Sequence, residues 1–328
     1  MKIAFYQMRP FDEQAYIEQF SKEFGIDYVM IPGAPCPENL DKAAGCDAVS
    51  QNPCEILPEY VEAWAQMGVK YLLCRSIGYD HLPLETAKKL GMRVAHSHYP
   101  PEGVANYAIM LMLMCTRKMN QTMLRAAAQD YTLPGKMGRD LSNCTVGIIG
   151  TGKIGRVFAE ICRGFGMQVL AYDKFPAADS GLRYAELPEL FAEADVVSLH
   201  CPLTDETRHM ISAEAIRQMK PGVTIVNTSR GALVDTGALI EGLRSRKIGA
   251  ACLDVYEEEG DLFYEDRSEA IIEDDTLVRL IAMPNVIVTS HQAFLTKEAL
   301  DNIAATTVEN LLKFERGEPS PETEVCWR

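Results

Sequence analysis

Val146-Gly-Ile-Ile-Gly150-Thr-Gly152-Lys-Ile-Gly155 is an apolar run that breaks into spaced glycines, and Asp173 closes the next apolar run. A strand, a tight glycine turn and a helix, followed by a strand that ends in an acid, form the pattern of a dinucleotide-holding βαβ unit. Each residue type has its reason. Gly150 permits the tight turn, Gly152 lets backbone approach a pyrophosphate, and Gly155 allows close packing of helix on sheet. Lys153, Ile154 and Gly155 open a helix whose unpaired N–H groups and positive dipole suit phosphates. Asp173 offers its carboxylate to the adenosine ribose hydroxyls and opposes a 2′-phosphate, which favours NAD over NADP. Lys174 beside it weakens that preference, since a cation there can pair with the phosphate.

Outward from this turn, strand runs recur at Gln168–Tyr172, Val196–Leu199, Thr224–Asn227, Ala250–Leu253 and Val286–Thr289. Helical stretches at Lys153–Phe165, Ala213–Met219 and Thr236–Ser245 lie between them. Upstream, Lys2–Tyr6, Tyr28–Ile31, Ala48–Ser50, Lys70–Cys74 and Arg93–Ala95 read as strands. They alternate with helical periodicity over Asp12–Phe24, Pro58–Met67 and Leu84–Leu90. Such alternation implies parallel sheets covered on both faces. The expected fold is α/β: two doubly wound, Rossmann-like units in tandem. Residues 101–128 read as one long helix ahead of the second unit, with Pro101 suited to its first turn. Residues 256–275 hold ten acids against one Arg, a charge run that ordinarily marks a solvated loop or helix face.

Composition narrows the function classes. The 328 residues are 47% apolar and 24% charged, and the formal net charge is −14. A chain this acidic repels phosphate backbones and anionic lipid, which argues against nucleic-acid and membrane partners. The most apolar stretch, Ala108–Cys115, is far below the roughly 20 residues that span a bilayer. The ten cysteines are never closer than eight residues apart and the six histidines form no HExxH, so no metal site is expected. Reduced thiols in a cytoplasmic protein are the plain reading.

Ligands of open α/β sheets lie at the carboxyl ends of the strands. Four segments qualify there: Leu199-His200-Cys201-Pro202, Asn227-Thr228-Ser229-Arg230-Gly231, Asp254-Val-Tyr-Glu-Glu-Glu259 and Thr289-Ser-His291-Gln. The planar fork of an Arg between Ser229 and Gly231 suits a carboxylate. Spacing alone does not choose between His291 and His200. It reaches an NAD-binding oxidoreductase whose hydride acceptor is open.

At these residues the chain resembles the D-2-hydroxyacid dehydrogenase family, within it the D-lactate dehydrogenases and the 2-oxoacid reductases of vancomycin-resistance type. The resemblance runs in order through Arg75-Ser-Ile-Gly-Tyr-Asp80, Tyr99-Pro-Pro101, the glycine turn with Asp173, and His200-Cys-Pro-Leu203. It continues through Asn227-Thr-Ser-Arg-Gly-Ala-Leu-Val-Asp235, Asp254-Val-Tyr-Glu-Glu-Glu259 and Pro284-Asn-Val-Ile-Val-Thr-Ser-His291.

The resemblance implies a substrate domain of residues 1–99 plus 295–328, with an NAD-binding domain, residues 100–294, inserted into it and closing over a cleft. It implies NAD-dependent reduction of pyruvate-like 2-oxo acids to D-2-hydroxy acids, and a homodimer built on the helix after residue 101. Arg230, Glu259 and His291 match the family's catalytic triad. Arg230 would orient the substrate and polarise its carbonyl. His291 would donate the proton, and the Glu259 carboxylate would stabilise the imidazolium. Glu257 and Glu258 compete with Glu259, and the motif register alone chooses. Cys201, Pro202, Thr228, Ser229, Arg230 and Asp254 match cofactor contacts, which leaves His200 in the adenosine wall. Ile77 and Gly78, in a turn whose N–H groups would cradle the carboxylate, match substrate contacts together with Tyr99, Arg230 and Phe294. Ser290, Gln292 and Leu295 depart from the lactate-type pattern around His291, and Leu295 leaves room for larger apolar side chains. Competing readings are a superfamily enzyme for formate, phosphite or a larger hydroxy acid, an NAD(H)-sensing corepressor, and a methyltransferase. The acidic run favours the lactate-like branch, no regulatory segment is appended, and a methyltransferase leaves the Arg, Glu and His unexplained.

Overall fold

The structure, a computed structural model, describes residues 1–11, 13–260 and 262–325. Asp12, where the first helix was expected to begin, Asp261 of the acidic run and Cys326 lie outside the described residues. The chain divides into two compact units, Met1–Pro100 with the chain from Leu295, and Pro101–Phe294.

The first unit opens with β1 (Lys2–Tyr6), α1 (Gln14–Phe24), β2 (Asp27–Ile31), β3 (Ala48–Gln51), α2 (Pro58–Gln66), β4 (Tyr71–Cys74), α3 (Leu84–Lys89) and β5 (Arg93–His96). Its five strands are parallel in the order β2-β1-β3-β4-β5. Strand alternation sends Ala4, Tyr6, Val49, Leu72, Cys74 and Val94 to a core around Trp64. Ile3, Phe5, Ala48, Leu73 and Ala95 face the opposite core. Arg75, one residue beyond β4, is buried against Glu13 at 3.1 Å and donates to the Tyr6 carbonyl at 2.7 Å.

The second unit contains α4 (Glu102–Thr116), α5 (Met119–Ala127), β6 (Thr145–Ile149), α6 (Lys153–Gly164), β7 (Gln168–Tyr172), β8 (Arg183–Tyr184) and α7 (Leu187–Glu193). It continues with β9 (Val196–Leu199), α8 (Ala213–Gln218), β10 (Val223–Asn227), α9 (Thr236–Arg244), β11 (Ile248–Leu253), α10 (Asp275–Ile281) and β12 (Val286–Val288). The seven-stranded order is β12-β11-β10-β9-β6-β7-β8, parallel throughout. Chain direction across the sheet reverses between β6 and β9, the switch point where such sheets place a ligand. β9 and β10 are buried along their whole lengths, as expected of strands covered on both faces. Asp195 ties the sheet's lower rim together, accepting from the Thr145 N–H at 2.9 Å and pairing with Arg139 and Lys220.

The last helix, α11 (Lys297–Glu315), belongs to the first unit. Its Ala304, Val308, Leu311 and Phe314 cover Ile3, Phe5 and Leu73, and Glu324 beyond it pairs with Arg93 of β5 at 2.8 Å. No helix among the described residues is long and apolar enough to cross a membrane.

One expected element divides. Residues 101–128 form two helices, α4 and α5, because Lys118 turns left-handed at φ +52°. Just before the break, the Thr116 hydroxyl donates to its own helix's Met112 carbonyl at 2.8 Å, a bond that competes with the helical ladder. α4 is buried on much of its surface, whereas α5 buries no residue.

Candidate active site

The glycine turn joins β6 to α6, and its three glycines differ in what a side chain would meet. Gly150 has φ +96°, and a Cβ there would stand 2.6 Å from the Cys201 nitrogen. At Gly155 a Cβ would collide with the Gly150 carbonyl at 2.0 Å, so only glycine lets α6 start so close to the turn. At Gly152 a Cβ would meet nothing within 4 Å, so this backbone is open to an incoming group. Lys153 and Ile154 follow as the first residues of α6.

Asp173 stands just past β7 and closes the turn. Its Oδ2 accepts from the Thr151 N–H at 2.6 Å and hydroxyl at 2.9 Å, and its Oδ1 accepts from the Phe175 N–H at 2.9 Å. Partial burial alone would raise its pKa, but these N–H and O–H donors outweigh burial and hold the carboxyl below its usual range. Lys174, next to Asp173 in the chain, is paired with Glu206.

His200 follows β9, its Nε2 2.8 Å from the Ser198 hydroxyl and its ring centroid 4.7 Å from that of Phe158. Burial pushes its pKa down to about 3, so this imidazole is neutral near pH 7. Cys201 and Pro202 follow it, and the Cys201 carbonyl accepts from the Ser229 hydroxyl at 2.6 Å. After β10, Asn227 shapes the next turn, donating to the Arg230 carbonyl at 2.7 Å and accepting from the Ser229 N–H at 3.0 Å. Arg230 itself donates to the Ser229 carbonyl at 2.9 Å. The Thr228 hydroxyl is buried with no hydrogen-bond partner among the described residues. An open glycine backbone, a strand-end acid and an orphaned hydroxyl at neighbouring strand ends fit a dinucleotide.

His291 and Glu259 come together after β12 and β11, Nδ1 2.6 Å from Oε1. The Tyr256 N–H donates to the other Glu259 oxygen at 2.9 Å, and the His291 N–H donates to the Asp254 carbonyl at 2.6 Å. His291 carries φ +50°, a left-handed conformation rare outside glycine. Asp254 explains how it is held. Its buried carboxylate accepts from the Thr289 hydroxyl at 2.6 Å and from the N–H groups of Gln292 at 3.0 Å and Ala293 at 2.8 Å. Burial raises the Asp254 pKa against the pull of those donors. The adjacent glutamates are resolved by the fold: Glu257 pairs with His209 at 2.5 Å and accepts from Thr236, while Glu258 is exposed.

In the first unit, Ser76–Tyr79 turn beyond β4, and the N–H groups of Ile77 and Gly78 have no acceptor among the described residues. Tyr99 is buried beyond β5, and Phe294 closes the second unit. Three contributors were given no role from the sequence. Tyr264 donates from its hydroxyl to the His291 carbonyl at 2.7 Å, yet it sits inside an acidic run. Thr289 and Gln292 matter through Asp254, a partnership only the fold creates. Gln292 also reaches the Tyr107 hydroxyl at 2.8 Å and ties this turn to α4.

A protein that holds a dinucleotide at the switch point and an imidazole–carboxylate pair at the same row of strand ends is an NAD-binding oxidoreductase. Known proteins narrow that class. The D-isomer specific 2-hydroxyacid dehydrogenase family, NAD binding domain, matches residues 109–293. D-lactate dehydrogenase of Escherichia coli (strain K12) is 42% identical over 330 residues, 98% of this chain and 99% of that protein. The aromatic 2-oxoacid reductase of Clostridium sporogenes is 39% identical over 99% of this chain and 100% of its own length. The solved structure of D-lactate dehydrogenase with NAD+ from Lactobacillus jensenii superposes with a TM-score of 0.83 at 31% identity, covering all of both chains. The chain belongs to the D-isomer specific 2-hydroxyacid dehydrogenase family.

Proposed function

We propose that the protein reduces pyruvate-like 2-oxo acids to D-2-hydroxy acids, with Arg230, Glu259 and His291 as its catalytic residues. The observation that carries this reading is the 2.6 Å contact of His291 Nδ1 with Glu259. It commits one ring nitrogen to the carboxylate and leaves Nε2 for a substrate oxygen. NADH, when bound, supplies the hydride from its nicotinamide. Oxyanion charge then develops on the substrate's C2 oxygen, and the Arg230 guanidinium neutralises it while its fork fixes the substrate's orientation. His291 delivers the proton from Nε2 and takes it back in the reverse direction, with Glu259 offsetting the imidazolium charge. The Ile77 and Gly78 N–H groups serve the substrate carboxylate, Tyr99 and Phe294 its side chain. Cys201, Pro202, Thr228, Ser229 and Asp254 keep the cofactor side of the site in place. Two of the relatives favour this substrate class by name, one a D-lactate dehydrogenase and one an aromatic 2-oxoacid reductase.

The same reading includes a homodimer formed through α5 and the chain after it. Met123, Leu124, Tyr131, Leu133 and Met137 are all exposed there, an apolar patch suited to a second copy. It also includes a cytoplasmic setting, in keeping with nine free thiols among the described residues. The test is turnover of pyruvate, 2-oxobutyrate and phenylpyruvate with NADH and with NADPH, the product's handedness being resolved by chiral chromatography. Turnover with NADH to a D product is expected. No turnover of any of the three, or an L product, overturns the reading.

A further inference from the structure

The carboxyl ends of β3 and β4 carry a polar cluster in a place where apolar side chains would be cheaper. Gln51 and Cys74 are opposite one another in the register, and neither is more than 1% exposed. Cys74 Sγ lies 2.9 Å from the Ser76 hydroxyl, 3.4 Å from His81 Nε2 and 3.7 Å from the Gly78 carbonyl. The Ser76 hydroxyl donates to that same carbonyl at 2.5 Å. Its single hydrogen is thereby used, so the hydroxyl oxygen can only accept from the thiol, whose own hydrogen has Ser76, His81 and the Gly78 carbonyl within reach. Gln51 donates from Nε2 to His81 Nε2 at 3.0 Å, so that ring nitrogen is an acceptor. Just beyond β5, the Ser97 N–H donates to the Ser76 carbonyl and the Ser97 hydroxyl to the Cys74 carbonyl, each at 3.0 Å.

These contacts pin two carbonyls of one turn. Because a trans peptide is planar with its C=O and N–H antiparallel, fixing a carbonyl fixes the direction of the following N–H. Ser97 holds the Ser76 carbonyl and so aims the Ile77 N–H. The Ser76 hydroxyl holds the Gly78 carbonyl and so aims the Tyr79 N–H. The two peptides are turned with their carbonyls toward the strand ends and their donors away from them.

We propose that Cys74, Ser76, Gln51 and His81 form a positioning relay for the substrate carboxylate. They touch no substrate atom: they aim the Ile77 N–H through its own peptide plane and brace Gly78 through the carbonyl on its far side. The proposal rests on the functional reading above, which assigns this turn to the carboxylate. A hydrogen-bonded network anchored on the buried Gln51 and Cys74 holds geometry more narrowly than apolar packing does, and a carboxylate accepting from several N–H groups is sensitive to their alignment.

The test separates positioning from mere support. In Ser76→Ala the KM for pyruvate should rise about tenfold with kcat within threefold of wild type. The dissociation constant of oxamate, an unreactive isostere of pyruvate, should rise in parallel in the NADH complex. NADH affinity and Tm should hold. Ser76→Thr, which keeps the hydroxyl, should return KM to within about twofold of wild type. Cys74→Ala should raise KM severalfold and Cys74→Ser should restore it, and this pair carries the test if Ser76→Ala does not fold. KM and oxamate affinity unchanged in both alanine variants, or a lowered Tm with KM unchanged, overturns the relay alone. Wild-type enzyme that turns over no 2-oxo acid overturns the functional reading instead, and the relay falls with it.

Discussion

Arg230 and His291 are separable by kinetics. Arg230→Ala removes both orientation and charge neutralisation, so kcat/KM should fall by at least about a thousandfold. His291→Ala should lose roughly 10²–10⁴-fold in kcat, the usual worth of a general acid, with NADH binding retained. His200→Ala should leave kcat within about tenfold of wild type, because a neutral ring packed on Phe158 has no proton to give. Stopped-flow hydride transfer and NADH fluorescence titration on the three variants check this, and the opposite ranking of the two histidines would refute it. Cofactor choice is a second matter of single residues. Asp173→Ala should weaken NADH and admit NADPH. Glu206→Ala should also improve kcat/KM for NADPH severalfold, since it releases Lys174 from the ion pair that now occupies it. Equal efficiency of the wild type with both cofactors would show that Lys174 governs instead. At this scale sequence went only part of the way. Three consecutive glutamates look alike as letters, and what separates Glu259 from Glu257 is that His209 and Thr236 already hold the latter.

The arm of α5 and the chain beyond it is the element most open to test. Leu124 and Leu133 are 65% and 82% exposed, so a carboxylate at either does no harm to a monomer but opposes a second apolar surface. Leu124→Glu combined with Leu133→Glu should therefore shift the protein from dimer to monomer in sedimentation-velocity runs, with the circular dichroism spectrum unchanged. A wild type that sediments as a monomer removes the dimer from the reading. The elements differ in how legible they were. β9 and β10 read off the sequence because strands buried on both faces are dominated by apolar, β-branched residues, here Val196, Val197, Val223, Ile225 and Val226. The break between α4 and α5 did not, since Thr-Arg-Lys-Met-Asn contains neither Gly nor Pro and the left-handed turn falls on a lysine. β8, two residues long, has no period to detect. α10 was hidden in a charge run, although Asp274, which caps it by accepting from the Thr276 and Leu277 N–H groups, was in plain sight.

For the molecule as a whole, acid should be the destabilising direction. Burial would raise the carboxyls of Glu13 and Asp195, but Arg75 and Arg9 in one case, and the Thr145 N–H, Lys220 and Arg139 in the other, hold both below their usual range. A depressed folded pKa means that the unfolded chain takes up protons first as pH falls. The stabilisation is thus complete above about pH 4–5 and is lost as pH drops through the folded values. Each unit contains such groups, Asp173 joining Asp195 in the second, so urea midpoints of both transitions should fall between pH 5 and pH 3, and Asp195→Asn should flatten only the second unit's slope. An acid response unchanged by that variant would remove Asp195 as its source. The covering of the first sheet by α11 bears on a different quantity, time. Ile3, Phe5 and Leu73 are made early, and Val308, Leu311 and Phe314, which shield them, are made after the whole of the second unit. At about 5–20 residues per second the ribosome leaves that face uncovered for roughly 10–50 s. The nascent first unit must wait for its lid while the second unit folds ahead of it. Chains stalled at residue 294 should accordingly recruit a holdase chaperone and show residues 1–100 open to protease, with residues 101–294 already resistant. Protection of residues 1–100 in such chains would show that the sheet closes without α11.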